Sequence, residues 1–209
     1  MADPDVFRAR ISAALAAGEP LTADDGVALL GHDDLSWLGA LAHHERSARS
    51  GAVTTFLPVA DVAALPGVTT WAYHAGQSPA ERVAELLALR TAGARVVVPV
   101  RTDAADVDHT ASPAEMLKLF AVCRLLLPVD TIGVDLASHP ASTGQLLLDF
   151  GAAELLVPAD GFDADRIAEL VWDASGTPVL RDEAYGVVRD FGPAHTQAER
   201  RAEPQSVFS

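Results

Sequence analysis

One unit recurs along residues 68–191: a short β-branched run, a polar loop, then a capped amphipathic helix. This repetition restricts the fold more than any other feature of the chain. The clearest copy reads Val68-Thr69-Thr70-Trp71-Ala72-Tyr73, then His74-Ala75-Gly76-Gln77, then Ser78-Pro79-Ala80-Glu81. Ser78 suits an N-cap, Pro79 suits the first helical position, and Glu81 can accept a hydrogen bond from the Ser78 backbone N–H, so three helix-start signals coincide. Ser112-Pro113-Ala114-Glu115 repeats them one unit later. Between the two lies Val96-Val97-Val98-Pro99-Val100, apolar without alternation, as expected of a parallel strand covered by helices. Strands are expected at 68–73, 95–100, 131–136 and 154–157, and helices at 79–92, 113–127, 142–150 and 164–174. Each connection is long enough for a right-handed crossover between parallel neighbours. Segments 177–181 and 186–189 read equally as short strands or loop.

The first fifty residues read as helical. Val6, Ile11 and Leu15 belong to a helix stopped by Gly18, Thr22-Ala23-Asp24-Asp25 opens a second, and Asp33 or Asp34 caps a third that ends near Gly51. His43 and His44 sit on that third helix about 100° apart, which prevents them from sharing one metal and suits a solvated face. Val53-Thr54-Thr55-Phe56 is a candidate strand, with Leu57-Pro58 as its break and a helical turn within 59–65. Residues 1–51 thus form a helical lead-in, 52–191 the βα-repeat region, and 192–209 a flexible tail rich in Pro, Gln, Glu and Arg.

Acidic residues outnumber basic ones 29 to 15, a formal charge of -14, which argues against nucleic-acid or anionic-membrane partners because both need a basic face. Cys123 is the single cysteine, so this chain holds neither an internal disulfide nor a multi-cysteine metal site. Met1-Ala2-Asp3-Pro4-Asp5 lacks the basic and apolar regions of a signal peptide, and a cytoplasmic location is expected.

Several stretches carry a family resemblance in consistent order. They are Gly18-Glu19-Pro20-Leu21-Thr22-Ala23-Asp24-Asp25-Gly26 with Leu38-Gly39-Ala40-Leu41-Ala42; Ser78-Pro79-Ala80-Glu81-Arg82-Val83-Ala84-Glu85-Leu86; Leu125-Leu126-Leu127-Pro128; Gly144-Gln145-Leu146-Leu147-Leu148-Asp149-Phe150-Gly151-Ala152; and Thr177-Pro178-Val179-Leu180-Arg181-Asp182-Glu183-Ala184-Tyr185. Together they resemble the radical SAM enzymes of the futalosine route to menaquinone, the family of aminofutalosine synthase, dehypoxanthinyl futalosine cyclase and the FO synthase subunits. The resemblance implies an α/β fold, a partial (half) TIM-like barrel of parallel βα units preceded by the N-terminal helical segment. It also exposes departures. The family's C-x3-C-x2-C loop, whose thiolates hold a [4Fe–4S] cluster, has no counterpart after Val53-Thr54-Thr55-Phe56, and its Gly-His-x-Glu-Thr loop is replaced by His74-Ala75-Gly76-Gln77-Ser78.

The expectation is therefore a cytoplasmic pseudoenzyme without a cofactor, a partner or regulatory subunit linked to menaquinone biosynthesis. Two alternatives stand beside it: a protein binding a nucleoside-like or aromatic metabolite, and a metal-dependent hydrolase or lyase. A half barrel leaves open sheet edges, which points to a homodimer or a heterodimer with a full-length homologous enzyme, the N-terminal helices being available to cover one edge. If the loops after the strands converge on one face, His74, Gln77, Arg101, Asp135 and His139 are the candidate ligand-binding residues. Asp135 with His139 and His74 could bind a divalent metal, with His109 as a further ligand, and Arg101 could pair with a carboxylate ligand or form a salt bridge to Asp103 or Asp135. Cys123, mid-helix among apolar residues, reads as a buried small hydrophobe, and Arg181-Asp182-Glu183-Ala184-Tyr185 as packing.

Overall fold

A computed structural model describes residues 4–102 and 111–194. Asp103, His109 and positions 195–209 of the expected tail lie outside the described residues.

Local capping chemistry sets most helix boundaries. Helices α1 (Pro4–Ala16), α2 (Ala23–Leu30) and α3 (Leu35–Ser50) make up the lead-in. Thr22 and Asp25 close a reciprocal box at α2, Thr22 Oγ1 accepting from Asp25 N at 3.2 Å and the Asp25 carboxylate accepting from Thr22 N at 3.0 Å. Asp34 accepts from Trp37 N at 3.0 Å to start α3. Ser78 with Glu81 and Ser112 with Glu115 form the same box at α4 (Pro79–Thr91) and α5 (Pro113–Leu126). Helix α6 (Ala141–Asp149) follows Pro140 without a side-chain cap, whereas Asp163 caps α7 (Ala164–Asp173).

The strands are β1 (Val53–Val59), β2 (Val68–Tyr73), β3 (Val96–Arg101), β4 (Thr131–Asp135), β5 (Glu154–Pro158), β6 (Thr177–Arg181) and β7 (Val187–Asp190). They form one sheet in the order β2-β3-β4-β5-β1-β6-β7, parallel except for β7, which runs antiparallel to β6. The two segments readable as strand or loop near the end are thus both strands. The order differs from a simple succession of neighbours because β1 lies between β5 and β6. Among the described residues the sheet ends at β2 and β7, and those two ends do not pair.

Crossover handedness then decides which face each connection occupies. The steps from β2 to β3, β4, β5 and β6 all move the same way across the sheet, so right-handed connections put α4, α5, α6 and α7 on one face. Phe56, Val97, Ile132 and Leu155 accordingly share a buried cluster with Leu86, Phe120, Leu147 and Val171. The return from β1 to β2 runs in the opposite direction, and the same rule sends residues 60–67 across the other face. There a short 3-10 turn, Val62–Ala64, sets Val62 with Leu65 against Leu57, Val98 and Leu156.

Strand β1 continues through Leu57-Pro58, where a break was expected. Thr55 N donates to Ala153 O and Val59 O accepts from Ala159 N, so odd positions of β1 face β5 and Pro58 faces β6. Pairing with β6 stops at Phe56–Leu180, and the missing Pro58 N–H therefore removes no ladder bond. Pro99 repeats the arrangement on β3. Arg95 O accepts from Asp130 N, placing odd positions of β3 toward β4, whose pairing with β3 ends at Val97–Ile132. Beyond that pair β3 and β4 part.

The lead-in helices form a third layer: α2 packs on α4 and α5, and α3 packs on α5 and α6. Gly39 permits the approach of α3, since a Cβ there would stand 2.9 Å from the Phe150 ring. Helix α5 is enclosed between the layers, with every residue from Leu119 to Leu126 buried. Its Arg124 donates from Nε to Gly151 O at 2.9 Å and from Nη1 to Val129 O at 3.0 Å. Burial, with Arg49 nearby, brings that guanidinium down to about 10, still charged at neutral pH.

Candidate functional site

Parallel sheets present their ligand crevices at the carboxyl ends of strands, and the parting of β3 from β4 creates one here. Residues 59–63, crossing the face opposite the helices, roof a cleft of about 340 Å³ lined also by Thr70, Ala72, Val100, Asp135, Ala137 and Pro158. Strand parity explains the lining. Val98 stands beside Gly133, whose added Cβ would lie 2.9 Å from Val98 Cγ2, and positions two residues on, Val100 and Asp135, face the same way.

Asp135 is the polar centre of the cleft. It is 6% exposed, and its Oδ1 accepts from Ala137 N at 3.0 Å. Among the described residues, Oδ2 receives no hydrogen bond. Asp61 is the other charged lining residue; its carboxylate accepts from Ala63 N at 2.9 Å and so caps the turn of the roof. Among the described residues, the lining therefore carries two carboxylates and neither Lys, Arg nor His.

His139 leaves the same loop in another direction. Its Nδ1 lies 2.9 Å from Asp135 O and its Nε2 lies 2.7 Å from Tyr73 Oη, while Phe120 meets the ring edge-on. Because a carbonyl only accepts, Nδ1 carries the proton and Nε2 accepts from the tyrosine hydroxyl. Burial pushes the His139 pKa down, which keeps the ring neutral. Asp135 and His139 are thus four residues apart, yet one lines the cleft and the other is sealed among side chains of the helix-covered face.

The remaining expected residues lie apart from the cleft lining. His74 is exposed and its Nδ1 accepts from Gly76 N at 3.1 Å; its own N–H donates to Gln77 Oε1 at 3.1 Å. Gln77 Nε2 donates to both Glu85 oxygens at 3.2 Å, and Arg82 Nη2 donates to His74 O at 2.7 Å, so this loop is closed on itself. Arg101 is half-buried at the end of β3, in register with Tyr73. Among the described residues no group of three or more His, Cys, Asp or Glu side chains is arranged to hold a metal. His43 and His44 are exposed on α3, His43 Nδ1 lying 3.5 Å from Asp149.

A second polar feature on the cleft side of the sheet was read from the sequence only as packing. Glu154 and Arg181 form an ion pair, both buried, and Thr55 Oγ1 donates to Glu154 Oε1 at 2.8 Å. Arg181 Nη1 also donates to Asp182 O at 2.7 Å, and the Tyr185 ring stacks over the guanidinium at 4.0 Å. Tyr185 has φ 66, held in a turn whose Asp182 carboxylate accepts from Ala184 N and Gly186 N.

The cysteine-held cluster implied by the sequence resemblance does not fit these residues. A cluster needs several thiolates, and Cys123 is fully buried in α5 with its thiol pushed up to about 12 by that burial.

Comparison with known proteins agrees with a local likeness. No family model matches the chain. A stretch of 40 residues is 52% identical to aminodeoxyfutalosine synthase of Streptomyces coelicolor, covering 19% of this chain. The match spans 10% of that enzyme's length.

Proposed function

We propose that this chain is a non-catalytic, radical-SAM-like protein that serves menaquinone biosynthesis by the futalosine route as a partner or regulatory subunit. The carrying observation is the state of its single thiol. Cys123 is enclosed in α5 at the middle of the layers, while the parallel βα frame and a local likeness to aminodeoxyfutalosine synthase are kept. A frame of that ancestry without cluster ligands retains shape and surfaces, and these suit recognition.

The partner reading draws support from the sheet end. Strand β2 pairs only with β3 among the described residues, and Val68-Thr69-Thr70-Trp71-Ala72-Tyr73 carries neither a charge nor a proline along its outer edge. A second copy, or a homologous full-length enzyme, would supply the missing neighbour. No described helix is long and apolar enough to cross a membrane.

The test is capture of the tagged full chain from native extract, paired with menaquinone measurement in a deletion strain. Co-purification of a futalosine-route enzyme and a lowered menaquinone content are expected. Unchanged menaquinone together with no co-purifying enzyme of that route would remove the reading. A second reading, small-molecule binding, is favoured by Asp135 in its cleft.

A further inference from the structure

We infer that the cleft between the parted ends of β3 and β4 binds a small organic cation, an ammonium carried on a short apolar body, with Asp135 as its anchor. This inference stands on the cleft alone and is independent of the pathway reading.

The volume of about 340 Å³ lies at the small end of ligand pockets and suits a compact metabolite. Val59, Val62, Ala72, Val100 and Pro158 supply apolar walls. Against them stands one carboxylate that is 6% exposed and uses only Oδ1 within the described residues. Oδ2, which no described group meets, stays open to the cleft, and among the described residues the lining offers no basic side chain to pair with the carboxylate. An entering ammonium provides both charge and donors at Oδ2. Asp61 adds negative potential from the roof while its carboxylate stays engaged with Ala63 N. Phosphates and carboxylates would meet two like charges, so the cleft selects against anionic metabolites.

Three probes sharing one branched five-carbon skeleton separate charge from apolar fit: isoamylamine, isoamyl alcohol and isovalerate, titrated into the isotopically labelled full chain at constant ionic strength and followed by NMR. Saturable shifts at Val59, Val62, Ala72 and Val100 are expected with the amine alone. Asp135→Asn, which keeps an oxygen for Ala137 N, should weaken amine binding about tenfold or more, the loss of one charge-assisted contact. Ala72→Leu, which narrows the cleft and leaves the carboxylate in place, should weaken it as well and decides the matter if Asp135→Asn fails to fold. Equal binding of the alcohol or the acid, absence of saturable amine binding, or amine binding unchanged in the folded variants would overturn the inference. Displacement of the amine by sodium or potassium ions at equal concentration would also overturn it, marking a simple counter-ion site.

Discussion

Tyr73 Oη lies 2.7 Å from His139 Nε2, tying β2 to the loop after β4 across the intervening β3. The bond lies on the helix-covered side of the sheet, beyond the point where β3 and β4 part, and neither residue lines the cleft. Tyr73→Phe should cost about 1–3 kcal/mol, because the imidazole acceptor stays buried without a donor. Urea denaturation checks this; a midpoint equal to that of the wild type would mean that the contact contributes nothing.

The same histidine gives a pH signature. Burial lowers its folded-state pKa below the unfolded value of about 6.5, so the unfolded chain takes up a proton that the folded chain refuses. Stability should fall as pH drops below that unfolded value, until the folded pKa is reached, and should be flat above it. His139→Gln should remove this slope between about pH 6.5 and 5, a range above the ordinary carboxylate titrations. Thermal melts of the two proteins across that window provide the measurement, and parallel curves would contradict the assignment.

The Glu154–Arg181 pair separates charge from packing. Glu154→Leu alone should destabilise by about 3–5 kcal/mol, leaving a buried guanidinium without its counter-ion. Adding Arg181→Met should recover much of that loss, since an apolar pair removes both desolvation costs. A double-mutant cycle by chemical denaturation tests this, and additive losses would show that the pair is not coupled.

Gly39 reports on the third layer. A methyl at that position would stand 2.9 Å from the Phe150 ring, and Gly39→Ala should cost about 1–3 kcal/mol through overpacking. Combining it with Phe150→Leu should restore part of the stability. Hydrogen exchange on α3 locates the effect, and unchanged protection there would contradict close packing of α3 on α6.

What was legible in the sequence was local. The caps at Thr22, Asp34, Ser78 and Ser112 are four-residue events, and each forms as its spacing implies. Pro58 illustrates the opposite case. It reads locally as a break, yet it stays within β1 because β6 has already stopped pairing on the side where the N–H is missing. The insertion of β1 between β5 and β6 is a tertiary choice invisible in any one segment, and with it went the knowledge that residues 60–67 roof the open face. Asp61 was missed for that reason. Among the expected site residues, Asp135 lines the cleft, whereas His139 turns into the helix layer and His74 with Gln77 engages its own loop. Strand parity from Ile132 to Asp135 could have placed the aspartate on the open face, but the direction of His139 depends on where Tyr73 stands two strands away.

The proposed non-catalytic role requires that this chain be unable to cleave SAM, and reconstitution tests that most directly. The full chain, incubated anaerobically with iron and sulfide and then given SAM and a strong reductant, should acquire no stoichiometric iron–sulfur absorbance and release no 5′-deoxyadenosine. A bound cluster with 5′-deoxyadenosine formed over the protein-free control would contradict the account.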